Sequence, residues 1–378
     1  MKRYVSVLLT MLLLCAVSPP ARAEELAVEA VACLLMEKST GQVLYAVGEH
    51  EPLEPASVTK VMTILLTMEA IDSGALRYDD MVTASAFACS MGGSQIWLKE
   101  NEQMSVEDML KAVCVASAND CSVALAEHLA GSCDAFVEQM NQRAKELGML
   151  DTHFVNPTGL PAEGHITSAY DIALMSRELI LNHPDVRRFT TIWTDTLRNG
   201  EFGLNNTNKL IRYYQGATGL KTGSTDGALY CLSATAERDG MELIAVVLKS
   251  PTGTQRFESA KVLLNYGFAA YALADIRPPE PLTPIPVKLG SAESVTPAIQ
   301  GSTSLLTEKS KAGDLAVEVQ LEPELTAPVQ VGQQIGTLTV TSGGETLATL
   351  PLTAEQTVER LGYWDIFVKC LKVAFLAG

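Results

Sequence analysis

The sequence lacks an excess of positive charge. Its 28 lysines and arginines face 44 aspartates and glutamates, a formal net charge of −16 at pH 7. That balance leaves no electrostatic footprint for a phosphate backbone and excludes nucleic acid as a partner. Among its 8 cysteines there is no Cys-x-x-Cys pair, so neither a zinc ribbon nor a thioredoxin-type motif is supported. No His-Glu-x-x-His exists; His50, His128, His153, His165 and His183 are scattered and read as structural or surface residues. No Gly-x-Ser-x-Gly elbow accompanies a Ser/His/Asp set, and no glycine loop is suited to cradle phosphate. What is present is length and apolar content. The chain has 378 residues, 47% of them apolar and 19% charged, enough for two or three domains with a sizeable core.

Both ends of the chain carry membrane-related signals. Residues 1–23 read as an export leader: Lys2 and Arg3 precede an apolar run over 5–17, and Ala21-Arg22-Ala23 fits a small-x-small cleavage site. That run is short for the roughly 20 residues a bilayer span needs, and Pro19-Pro20 ends it. The mature protein is therefore expected outside the cytoplasm. The cysteines it retains (Cys33, Cys89, Cys114, Cys121, Cys133, Cys231 and Cys370) lie mostly in apolar contexts and are expected as free, buried thiols in a compartment that is not strongly oxidising. At the other end, Leu361, Trp364, Phe367, Val368, Leu371, Ala374 and Phe375 share one helical face, opposite Asp365, Lys369 and Lys372. This pattern predicts an amphipathic helix lying in a membrane interface.

Between the ends the pattern is mixed. A hairpin is expected over 31–36 and 42–47, and a largely buried helix over 58–71. Helical character continues over 106–115, 123–130 and 135–147. A second strand pair is expected at 230–236 and 243–249, joined across Asp239-Gly240, with a helix over 256–271. Strands at both ends with helices between predict an α+β architecture, an antiparallel sheet whose strands pair across the sequence. Arg277-Pro278-Pro279-Glu280-Pro281 marks a linker. The short alternating runs beyond it predict a small all-β domain without chemistry of its own. The expected division is a leader over 1–23, a catalytic domain over 24–275, an all-β domain over 282–353 and an anchor helix over 354–378.

Three short motifs carry chemistry. Ser57-Val58-Thr59-Lys60 opens the first long apolar helix, where i and i+3 share a face and the lysine amine reaches the serine hydroxyl. Burial and the helix N-terminus both disfavour a protonated amine there, so Lys60 is suited to serve as a base for Ser57. Ser117-Ala118-Asn119, placed on a loop between two helical runs, offers a hydroxyl for proton relay and an amide for a substrate carbonyl. Lys221-Thr222-Gly223-Ser224, at the edge of the strand region, offers a carboxylate anchor with backbone free for a ligand to pair alongside. Each alone has an ordinary alternative: a helix cap, a Ser/Asn cap, a surface turn. The ordered set is far more specific than its members.

This is the motif triad of penicillin-binding proteins and class A β-lactamases. The sequence resembles the low-molecular-weight penicillin-binding proteins, the serine-type D-alanyl-D-alanine carboxypeptidases. Asn156-Pro157-Thr158-Gly159-Leu160, Ser168-Ala169-Tyr170-Asp171, Asn206-Thr207-Asn208 and Gly219-Leu220-Lys221-Thr222-Gly223 extend the likeness over nearly the whole chain. The family often has His where this chain has Thr158, so that position receives no catalytic part. The resemblance implies a β-lactamase/transpeptidase-like catalytic domain and needs neither cofactor nor metal. It implies that Ser57 is acylated by the penultimate D-alanine of a peptidoglycan stem peptide, and that Lys60 accepts the serine proton. Ser117 passes a proton to the departing D-alanine, with Lys221 tuning the field. Asn119 binds the substrate amide, the backbone N–H groups of Ser57 and Ser224 form the oxyanion hole, and Thr222, Ser224 and Arg256 hold the terminal carboxylate. Gly223 keeps the strand edge open. β-Lactams would acylate the same serine, and the protein would sit on the outer face of a bacterial cytoplasmic membrane, attached through its C-terminal helix.

Two rival readings share the motifs. A class A-like β-lactamase deacylates with a glutamate in a Glu-x-x-Leu-Asn context; the stretch 152–167 offers only Glu163, without that context. A non-catalytic penicilloyl-binding sensor would show a broken motif, and all three are intact.

Overall fold

The computed structural model describes residues 26–376; the expected leader lies outside them. β1 (Ala32–Glu37) and β2 (Val43–Val47) form the expected hairpin. Its turn is held by the Glu37 carboxylate, which accepts from the amides of Ser39 and Thr40 and from the Thr40 hydroxyl. A short 3-10 turn (Ala56–Thr59) runs directly into α1 (Lys60–Asp72). The helical middle continues with α2 (Val106–Ala116), α3 (Asn119–Ala130), α4 (Cys133–Glu146) and α5 (Ala169–Asn182). The chain then returns to strands β3 (Ala217–Thr225), β4 (Leu229–Arg238) and β5 (Met241–Ser250), followed by α6 (Gly253–Ala270).

The five strands form one antiparallel sheet in the order β2-β1-β5-β4-β3. Pairing of β1 with β5 sets Leu34 opposite Val246, which is the expected pairing across the sequence. Successive residues of a strand point to opposite faces, and here both faces are covered. Ala32, Leu34 and Met36 pack with α1 to α5 in one core, whereas Cys33 and Leu35 pack with Phe257, Leu263, Leu264 and Phe268 of α6 in another. A sheet buried on both sides explains why β1 is apolar without alternation.

Two expectations need correction, and one helix was not among those expected. The second motif is not on a loop: Ser117 is the left-handed cap of α2, and Asn119 is the first residue of α3. The third motif does not precede a strand but lies inside one, β3. Helix α5, capped by Ser168, whose hydroxyl accepts from Asp171 N, was not anticipated. Six cysteines among the described residues are unpaired thiols, Cys33, Cys114, Cys121 and Cys231 buried and Cys89 and Cys133 half-buried.

After α6 the chain enters β6 (Tyr271–Asp275), which pairs with β10 (Ser304–Glu308). Short strands β7 (Ile285–Lys288), β8 (Ser294–Val295) and β9 (Pro297–Ile299) lie between them. β11 (Leu315–Leu321), β12 (Leu325–Thr326), β13 (Gln334–Ser342) and β14 (Glu345–Ala354) follow. One sheet runs β9-β14-β13-β11 and another β8-β7-β12, the expected all-β region with its own apolar clusters. The chain ends in α7 (Tyr363–Leu376), where Tyr363, Trp364, Phe367, Val368 and Leu371 are exposed. None of the helices among the described residues is long and apolar enough to cross a membrane.

Candidate active site

The turn that carries Ser57 is built at the junction of the 3-10 turn and α1. Ala56 sits at φ 47°, in the left-handed region that is costly for a residue with a Cβ. The turn is gripped from two sides by glycines whose missing side chains make room for it. A Cβ on Gly159 would lie 1.8 Å from Ala56 O, and one on Gly223 would lie 2.8 Å from Ser57 N. Ser57 is half-buried, with Oγ 3.0 Å from Nζ of Lys60. Lys60 has 0% exposure, and its Nζ donates to Thr158 O at 2.6 Å.

The electrostatics of this pair follow from burial. Desolvation first, and the Lys221 cation second, hold the Lys60 ammonium well below its ordinary pKa. Lys221 is itself buried and lowered to about 7 by desolvation, with Arg256 adding to the effect. Its Nζ donates to its neighbour's carbonyl, Thr222 O, at 2.8 Å.

The second motif enters from the helix side. Ser117 is buried at φ 65°, and Asn119 Nδ2 donates to Gly92 O at 2.7 Å. Ser117 Oγ and Asn119 Oδ1 are buried without a protein hydrogen-bond partner. Buried polar atoms are nearly always paired, so two orphans in one three-residue motif mark a place where a ligand supplies the partner. The neighbouring Asp120 fixes the facing loop, its carboxylate accepting from the amides of Ile96 and Leu98.

The third motif lies on β3, the edge strand of the sheet. Thr222 Oγ1 donates to Thr207 Oγ1 at 2.7 Å, and Asn208 Nδ2 donates to Gly219 O at 2.9 Å, so the segment 206–208 braces this strand. Ser224 is exposed. Arg256, from α6, is buried over the Tyr230 and Phe257 rings. Its Nη1 donates to Gly223 O at 3.0 Å and to Cys231 O at 3.2 Å, leaving Nε without a partner. Burial lowers its pKa to about 10. Arg256 thus stands directly behind Gly223, with part of its donor set already committed to backbone.

Lys60, Ser57, Gly223 and Lys221 are brought together, with Arg256 on the far side of Gly223. Sequence reasoning missed what holds them. Asn156 Oδ1 accepts from Thr158 N, Thr158 Oγ1 and Gly159 N, shaping the loop that presents Thr158 O to Lys60. The signature Asn156-Pro157-Thr158-Gly159-Leu160 was the available signal. Glu163 of the same loop is exposed, whereas Lys60 is fully buried. Among the described residues, Glu69, Glu178 and His183 form one group close enough to hold a metal ion. Arg143 already bridges its two carboxylates, at 2.7 Å and 2.6 Å.

Comparison with known proteins places this arrangement among relatives. The family model described as D-alanyl-D-alanine carboxypeptidase matches residues 18–252, and that of the penicillin-binding protein 5 C-terminal domain matches residues 280–360. The chain is 41% identical over 375 residues to the D-alanyl-D-alanine carboxypeptidase DacF of Bacillus subtilis, covering 96% of each chain. It is similar in structure to penicillin-binding protein 5 of Haemophilus influenzae, with a TM-score of 0.79 at 30% identity, covering 88% of this chain and 98% of that one. Penicillin-binding protein D2 of Listeria monocytogenes in its ampicillin-bound form gives a TM-score of 0.60 at 34% identity, covering 65% of this chain and 99% of that one.

Proposed function

The chain belongs to the D-alanyl-D-alanine carboxypeptidase family, and from that membership we propose how its own residues carry the reaction. The enzyme is a serine-type peptidase that removes the terminal D-alanine from peptidoglycan stem peptides through an acyl-enzyme. Ser57 Oγ attacks the carbonyl carbon of the penultimate D-alanine while neutral Lys60 takes the hydroxyl proton. The oxyanion is held by the backbone N–H groups of Ser57 and Ser224, donors of a kind worth about 3 kcal/mol each to a barrier. The carbon–nitrogen bond then breaks, and Ser117 gives its proton to the departing amine while receiving the one held by Lys60, which leaves the lysine neutral again. A water then gives a proton to Lys60 and attacks the ester carbon; the ester carbon–oxygen bond breaks, and Lys60 returns that proton to Ser57 Oγ. Asn119 binds the substrate amide, the open edge of β3 pairs with the peptide backbone, and Thr222, Ser224 and Arg256 receive the terminal carboxylate. Lys221 supplies positive field beside Ser117 and Lys60.

The observation that carries this reading is the 3.0 Å contact between Ser57 and a fully buried Lys60 whose ammonium is disfavoured. The exposed Glu163 argues against a class A-like β-lactamase, and the intact motifs against a non-catalytic sensor. Incubation with a pentapeptide ending D-Ala-D-Ala should release D-alanine, penicillin should block the release, and Ser57→Ala should abolish it. Release that survives in Ser57→Ala refutes the mechanism.

We further infer a leader (1–23), a catalytic domain (24–275), an all-β domain that begins at 282 and runs past the expected 353 to include Val358, and an anchor confined to α7 rather than all of 354–378, with the enzyme exported and held peripherally at the outer membrane face. The exposed Tyr363, Trp364 and Phe367 support this. A chain this acidic is repelled by anionic lipid, so attachment rests on the apolar face of α7. Ala354 and Val358 are buried in the all-β region, so the informative truncation falls after Gly362. That variant should leave the membrane fraction with its activity intact; retention there refutes the anchor.

A further inference from the structure

His165 takes no part in the reaction as written, yet it is the end of a hydrogen-bonded chain that reaches the nucleophile turn. The residue is 3% exposed. The amide of Val155 donates to Nδ1 at 3.0 Å, so Nδ1 presents a lone pair and the proton of the neutral ring resides on Nε2. Nε2 in turn donates to Thr59 Oγ1 at 2.8 Å, and the Thr59 hydroxyl donates to Ala56 O at 2.8 Å. Every donor in the series has one acceptor, and the direction of each bond is fixed by the one before it.

The last acceptor matters because of peptide geometry. In a trans peptide the C=O and the following N–H lie in one plane and point in opposite directions. Whatever fixes Ala56 O therefore fixes the direction of Ser57 N–H. Ala56 is in the left-handed region, at φ 47°, so this plane is held away from the orientation an alanine ordinarily adopts. Gly159 closes the space behind Ala56 O, which sets how far the carbonyl can retreat but not which way it points. The Thr59 hydroxyl supplies the direction.

We infer that His165 is a positioning residue of the oxyanion hole, acting through Thr59 to aim the Ser57 N–H at the developing negative charge. This rests on the proposed acylation of Ser57. Burial first, with the neighbouring His153 and Lys60 side chains adding to it, lowers the imidazole to about 4, which keeps the donor–acceptor pattern in place across neutral pH. The chain also couples the loop 152–168 to the nucleophile: the residue that shapes the turn sits 106 positions away in sequence.

The test measures acylation by a fluorescent penicillin together with the carbonyl stretching band of the acyl-enzyme, read by difference infrared spectroscopy. An ester carbonyl seated in an oxyanion hole absorbs at lower frequency than one that is not. His165→Ala should slow acylation about 10- to 100-fold, short of or equal to the loss from removing such a donor outright, and should move the band to higher frequency. Thr59→Val, which keeps shape and removes the hydroxyl, should do the same, and the double variant should be no slower than either single one. His165→Gln, whose amide offers one donor and one acceptor, should restore both rate and band. Wild-type acylation in folded His165→Ala, an unmoved band, or additive losses in the double variant would each overturn the inference. If His165→Ala does not fold, Thr59→Val decides alone. Failure of the wild-type chain to react with penicillin removes the proposed function, and this inference with it.

Discussion

Substituting Gly159 by alanine places a methyl group where the nucleophile turn already is. The added Cβ would lie 1.8 Å from Ala56 O, 2.3 Å from Ala56 C and 2.9 Å from Ser57 N, where real contacts essentially never fall under 3.0 Å. The opposing groups are backbone, which cannot swing aside as a side chain can. Relief from 1.8 to 3.0 Å requires the loop and the turn to separate by 1.2 Å. A misplacement near 1 Å at a reacting centre can reduce rate by about a hundredfold, so penicillin acylation of Gly159→Ala should fall by about two orders of magnitude. Gly159 also sits at φ +80°, so the alanine carries a left-handed penalty of about 1–2 kcal/mol in addition. Gly148→Ala separates the two effects. Its φ is +77° and nothing lies within 4 Å of its added Cβ, so it should show the same backbone destabilisation with acylation unchanged. Fluorescent penicillin labelling at a temperature where both variants are folded, alongside thermal denaturation, reads both quantities. Wild-type labelling in Gly159→Ala, or an equal loss in Gly148→Ala, would refute the reasoning.

The pH profile of acylation should have two limbs. Because burial and Lys221 depress the Lys60 pKa, the rate should rise as pH increases through that depressed value and the amine becomes neutral. It should decline as Lys221, lowered to about 7, loses its own proton. Lys221→Met removes the repelling charge and should move the acidic limb of the residual activity to higher pH; a limb that stays in place refutes the coupling. Glu242, with 0% side-chain exposure, pairs with Lys38 at 2.8 Å and with Arg187, and accepts from Thr218 Oγ1 at 2.7 Å. Glu242→Gln should lower stability toward the lower end of the 3–5 kcal/mol seen when a buried pair is broken, since both cations also reach solvent. An unchanged denaturation midpoint would show that the pair contributes nothing.

The strands legible in the sequence were those whose apolar runs reflect burial on both faces, such as Ala32–Glu37 and Met241–Ser250. Strand β3 was not, because Ala217–Thr225 sets its three threonines among Gly219, Gly223, Ala217 and Lys221, which are depleted in strands, and carries no apolar run. Its extended form is imposed by the ladder with β4, from Ala217 opposite Ala236 to Thr225 opposite Leu229. Helix α5 escaped notice for a different reason. Its packed face contains Asp171 and Ser176, both buried, which interrupt the apolar stripe that periodicity relies on. Each is held by a tertiary partner, Asp171 by Asp151 N and Thr152 Oγ1, and Ser176 by Ser233.

The site divides along the same line. Ser57, Lys60, Ser117, Asn119 and Lys221 could be picked out because proton transfer and anion binding demand particular residue types at short spacing. What keeps them in register is supplied by the loop 152–168, about which spacing says nothing. Lys60 meets Thr158 O across 98 positions, and Thr63 Oγ1 donates to Pro157 O across 94. Leu53 and Thr167 exchange backbone hydrogen bonds just ahead of the turn. The strained carbonyl of Ala56 is therefore held by the local Thr59 hydroxyl, itself fixed by His165, and is closed in by Gly159, both from a distant loop that no local pattern encodes. The three motifs are therefore not sufficient by themselves: a sequence that keeps all of them but loses Gly159 or Asn156 would still carry the family pattern while the loop that presents Thr158 O to Lys60 lost its shape.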